Sequence, residues 1–111
     1  MDSIDIMVRI STAQAAQTVE DEILRGSLSA KLVDRYAVSD GGKSLVVMVF
    51  EKYYMRNSSR ASLTVTIDDL GGVTRVHAVG SGGGQGAIFG FDWGAASSFA
   101  SYVSDALEKY R

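Results

Sequence analysis

The chain has no cysteine, no proline, one histidine and one tryptophan. Without cysteine there can be no disulfide, thiolate metal site, iron–sulfur cluster or cysteine nucleophile. Without proline, glycine has to supply most of the punctuation between elements. The longest unbroken apolar run, Leu45 to Phe50, falls far short of the roughly 20 residues a membrane-spanning helix needs. An excess of positive charge is also missing: 11 Lys+Arg stand against 13 Asp+Glu, for a net charge of −2. A basic face that displaces counterions is therefore not expected, which argues against nucleic-acid and anionic-membrane partners. The opening Met1-Asp2-Ser3-Ile4-Asp5 lacks the positive and apolar regions of a signal peptide, so the expected location is cytoplasmic.

What remains is 111 residues at 46% hydrophobic, the size of one domain spanning residues 1–111. Such a chain buries roughly 65% of its unfolded surface, enough for a core without covalent staples. Residues 4–10 place Ile4, Ile6, Val8 and Ile10 at period two, the mark of a strand with one buried face. Ser11-Thr12-Ala13-Gln14 then reads as a capping box, and Ala16, Val19 and Ile23 follow at helical spacing. Gly26 suits the position just past that helix.

Strand patterns return over Leu28–Ser39, where Leu28, Ala30, Leu32, Tyr36 and Val38 suggest one face. Asp34 interrupts that face, so a bulge or change of face is expected near Val33. Asp40-Gly41-Gly42 predicts a tight hairpin turn. A strand over Lys43–Met55 follows, then a polar turn over Asn57–Arg60 and an alternating strand over Ser62–Asp68. Asp69-Leu70-Gly71-Gly72 turns the chain into a strand over Val73–Val79. Asp92 can cap a terminal helix whose apolar stripe is Ala96, Phe99, Val103, Leu107 and Tyr110. The expected fold is α+β: an antiparallel sheet of about five strands in β-α-β(4)-α order, with a long C-terminal helix packed on one face.

That order resembles the TATA-binding-protein-like and helix-grip folds, in which a curved antiparallel sheet wraps a C-terminal helix. The segment from Phe50 to Ile67, the run Ser81-Gly82-Gly83-Gly84-Gln85-Gly86 and the stretch Phe91-Asp92-Trp93-Gly94 are similar to a family of small bacterial proteins of unknown function. The resemblance implies a bacterial cytosolic protein and transfers no catalytic residue.

Most of the twelve glycines lie between Gly80 and Gly94. They form either a loop of backbone amides beside a helix N-terminus or a bulged strand that lets sheet and helix approach. No Walker A lysine follows them, and the preceding strand closes a hairpin rather than opening a βαβ unit. Tyr53, Tyr54, Met55, Arg56, Asn57 and Arg60 form a second dense group, in which Arg56 and Arg60 can clamp an anion beside aromatic rings. His77 has no metal-ligand spacing around it, and no nucleophile elbow is present. Asp68-Asp69 lacks the alternating acids of a calcium loop and reads as a turn.

The sequence thus predicts no catalytic residue, no metal and no cofactor. The leading expectation is a small amphipathic or anionic ligand held between sheet and terminal helix by Tyr54, Arg56, Arg60, Gly82, Gly83, Gly84, Gln85 and Trp93, in a pocket that Phe89 and Phe91 also line. The alternative is a homodimerisation module using the outer sheet face, since Leu45–Phe50 is apolar on both sides. A charge at Val46 or Met48, whichever faces outward, is then expected to split the dimer.

Overall fold

The computed structural model describes residues 2–27, 29–54, 59–84 and 93–111. Strand β1 (Asp2–Val8) leads to helix α1 (Thr12–Gly26). Strands β2 (Ala30–Asp40), β3 (Lys43–Tyr54), β4 (Ser59–Asp68) and β5 (Thr74–Gly84) follow, then helix α2 (Trp93–Leu107) and a 3₁₀ turn over Glu108–Tyr110. The strands form one antiparallel sheet in the order β1-β5-β4-β3-β2. Helix α2 spans 15 residues, the same as α1, so the terminal helix is no longer than the first.

Local chemistry explains the element boundaries. Ser11 Oγ accepts the Gln14 amide at 3.1 Å, and the Ser11 amide donates back to Gln14 Oε1 at 3.2 Å, satisfying two orphan donors at the start of α1. Gly26 is the last residue of α1 rather than the residue beyond it. The chain leaves the helix through Ser27 in an extended conformation, so no left-handed residue is required there. Gly41 and Gly42 have φ of 58° and 83°, as a two-residue turn joining Asp40 and Lys43 demands. In the next turn Asp68 Oδ1 accepts the Leu70 amide at 3.1 Å, and the Asp69 carbonyl accepts the Gly72 amide at 2.9 Å. Asp69 Oδ1 also accepts the Ser44 amide at 2.8 Å, and Ser44 Oγ lies 2.6 Å from Thr12 Oγ1. That chain of contacts ties the β4–β5 turn to the start of β3 and the first turn of α1.

Pairing extends the strands past their sequence signals. Ser59 and Arg60, expected in a turn, pair with Tyr54 and Tyr53 as the start of β4. The strand expected to end at Val79 runs on through Gly80 to Gly84 in unbroken register with β4. Serine, arginine and glycine are poor strand formers, but ladder pairing overrides that weak preference.

Both helices lie on one face. Helix α1 packs on β2, β3 and β4, helix α2 on β1, β4 and β5, and the two touch each other. The inward residues come from every strand, among them Ile6, Val76, Ile67 and Val46 in one row and Ala78, Val65 and Met48 in the next. Against them the helices bury Ala15, Ala16, Val19 and Ile23 of α1, and Phe99, Val103 and Leu107 of α2. Phe50, Leu63 and Phe99 have no exposed surface, and full burial of each contributes about 1.5–3 kcal/mol. Among the described residues no buried side-chain polar atom lacks a partner.

Two expectations about faces are corrected. Val46 and Met48 both point inward and are 5% and 0% exposed; the outward residues of β3 are Leu45, Val47 and Val49. The pairing register slips between Leu32 and Asp34, the bulge foreseen near Val33. Beyond the slip Arg35 and Ala37 sit opposite Met48 and Val46, whereas Tyr36 and Val38 sit opposite Val47 and Leu45. Tyr36 and Val38 therefore lie on the outer face, not on the face of Leu32, because the extra residue reverses every later side chain.

Candidate functional site

The outer face of the sheet carries no element among the described residues. Register places Val38 beside Leu45 and Tyr36 beside Val47, with Val49 next along β3. Thr66 and Thr64 of β4 continue the same rows, and Val79 of β5 lies beyond Thr64. Leu45, Val47 and Val49 are half-buried by these neighbours, while Tyr36 and Val38 are 57% and 46% exposed. The result is an apolar band on β2 and β3 grading into threonines. Charges surround it in both signs, with Lys31, Arg60 and Arg75 against Asp5, Asp34, Glu51 and Asp68.

Three hollows mark this face and its ends, and none is lined by a residue of α1 or α2. A hollow of about 270 Å³ between Val38, Leu45, Leu70 and Lys43 is almost wholly apolar. Another of about 290 Å³ lies between Met7, Leu70, Val73 and Arg75. At the opposite end of the face, Ser29, Lys31, Glu51, Lys52, Tyr53 and Arg60 line a hollow of about 180 Å³.

The structure distributes the sequence-predicted site residues as follows. Tyr54 ends β3 and pairs with Ser59, and Trp93 opens α2; the side chains of both lie outside the described set. Gly82, Gly83 and Gly84 belong to β5 and pair with Ala61, Arg60 and Ser59. The described part of the glycine run is thus strand in regular register, neither loop nor bulge. Arg56 and Gln85, and with them Phe89, Phe91 and Asp92, lie outside the described residues. Arg60 stands across from Tyr53, so those two members of the aromatic–cationic group do come together. Sequence reading missed Lys31 and Glu51, which stand opposite each other on neighbouring strands beside them; no local spacing signals that meeting.

The described sheet–helix interior is filled by Met48, Phe50, Leu63, Phe99, Val103 and Leu107, all 0% exposed. His77 lies on the outer face beside Arg75 and Val79, with Nδ1 3.8 Å from Asp5 Oδ1. Both side chains are about half exposed, where such a pair contributes little. Among the described residues no group of three metal-binding side chains converges, and no helix is long and apolar enough to cross a membrane.

The geometry defines a two-layer α+β protein, with a five-stranded antiparallel sheet covered by helices on one side and, among the described residues, by no element on the other. The chain belongs to a family of unknown function, DUF6054, whose model matches residues 1–111. No curated protein and no solved structure matches it.

Proposed function

We propose that the chain is a non-catalytic assembly module that pairs with a second copy of itself through the outer sheet face. The observation that carries this reading is the apolar band of Tyr36, Val38, Leu45, Val47 and Val49 on a face that no helix covers among the described residues. Five strands at ~4.8 Å spacing and ~10 residues of ~3.3 Å each make a face of roughly 800 Å². A second copy would cover the part of it that holds the band and the rows toward the Gly41–Gly42 turn, leaving the Lys31–Arg60 end open. A two-fold interface must be self-complementary, and the mixed charges around the band avoid the repulsion that a single sign would bring. The face is a better docking surface than the β2 edge, because the bulge at Leu32–Asp34 disrupts the ladder a second strand would need. With no cysteine to oxidise, a cytoplasmic location belongs to the same proposal.

Sedimentation equilibrium tests the reading: the expected mass is twice the 11.9 kDa of the chain. Val47→Lys is expected to convert it to a folded monomer. A wild-type monomer at high concentration overturns the proposal.

A further inference from the structure

We infer that the hollow between Lys31, Tyr53 and Arg60, at the end of the outer face away from the Gly41–Gly42 turn, is a binding site for a tetrahedral oxyanion of the phosphate class. Its donors come from three strands and the segment before β2. Lys31 of β2 stands across from Glu51 of β3, and Arg60 of β4 stands across from Tyr53 of β3. Ser29 and Tyr53 add hydroxyls to the ammonium of Lys31 and the guanidinium of Arg60. The ammonium of Lys52 is held over the Tyr102 ring, 5.2 Å from its centre.

Two further observations favour an anion. Arg25, Arg35 and Arg111 each have a carboxylate partner, whereas Lys31 and Arg60 make no ion pair among the described residues. Among the described residues Glu51 is the one acid lining the hollow, so Lys31 and Arg60 together face a single carboxylate and a net positive charge remains. At about 180 Å³ the hollow is smaller than the ~300–1,000 Å³ pockets that enclose cofactor-sized molecules. It has room for a phosphate or the phosphate end of a monoester. A tetrahedral oxyanion offers oxygens in several directions, which suits donors arriving from separate strands better than a planar carboxylate does. Arginine favours such a group because its fork of N–H donors can bind two oxygens together.

Glu51 gives the proposal a signature of opposite signs. Titrating the full chain with inorganic phosphate at constant ionic strength is expected to shift the amide resonances of Ala30, Lys31, Glu51, Tyr53 and Arg60 in ¹H–¹⁵N spectra. Arg60→Gln and Lys31→Gln should each weaken the apparent affinity about tenfold. Glu51→Gln should instead tighten it several-fold, because it removes the one charge that repels the ligand. Acetate should bind more weakly than phosphate. Three results overturn the assignment: shifts that chloride reproduces, shifts that Arg60→Gln leaves unchanged, and binding to phosphatidylserine vesicles with no response to free phosphate.

Discussion

Gly26 and Gly42 answer oppositely to an added methyl group. Gly26 lies in the last turn of α1 at negative φ, and a Cβ there would meet Tyr102 Cε1 at 3.7 Å, an ordinary contact. Gly26→Ala is expected to stabilise by about 0.5–1 kcal/mol, since alanine orders the unfolded chain more cheaply than glycine. Gly42 has φ of 83° and open space around its Cβ position, so Gly42→Ala meets no clash but strains the backbone. A loss of roughly 1 kcal/mol is expected there. At the other end of α1, Ser11→Ala removes the acceptor of the Gln14 amide and should cost about 1 kcal/mol. Urea melts of the three variants check the signs together. The residues behind these predictions were legible in the sequence because caps and tight turns depend on near neighbours; only the exact seat of Gly26 was not, since the extended Ser27 after it was not foreseen.

At the scale of elements, β2 shows how one residue sets the character of two faces. Leu32 points toward the helices, and the slip at Val33 then turns Tyr36 and Val38 outward and Arg35 inward. Arg35 reaches Glu20 of α1, closing the edge of the core with a partly buried ion pair. Deleting Val33 is expected to leave Arg35 and everything after it in register while straightening the edge strand. The fold should survive in circular dichroism, but light scattering should reveal new higher-order association along the repaired edge. The bulge itself could be read from the misplaced Asp34. Its consequence for Tyr36 and Val38 could not, because a local pattern does not say on which side of the kink the extra residue falls. The extension of β5 through Gly84 was equally hidden, since that strand is held by pairing to β4 rather than by its own side chains.

For the whole molecule the informative comparison is between neighbours on β3. Met48 is fully buried and Val47 faces outward. Met48→Lys places an unpaired charge among apolar side chains, a cost of several kcal/mol against a total stability of about 5–15. It should fail to fold cooperatively in thermal melts. Val47→Lys should melt within a few degrees of the wild type as a monomer and halve the mass seen in sedimentation. The sequence could not separate these positions, because Leu45–Phe50 is apolar on both sides of the strand. Only the placement of both helices on one face decides which side is core. The Lys31–Glu51 meeting was hidden for a related reason, since cross-strand register makes it, whereas Tyr53 and Arg60 lie near enough in sequence to be grouped in advance; Arg56 and Gln85 lie outside the described residues.

The sheet order also sets a timetable. Strands β2 to β5 are successive hairpins that can zip together locally, but β1 joins the sheet only by pairing Asp2 with Gly80 and Val8 with Thr74. Closing a loop of roughly 70 residues costs entropy that no local contact repays, so this pairing should come late in folding. Ile6 is buried through that pairing, and Ile6→Val should therefore accelerate unfolding while leaving the folding rate nearly unchanged. During synthesis β1 leaves the ribosome well before its partner β5, and until β5 arrives the inward face of β1 has no sheet to join.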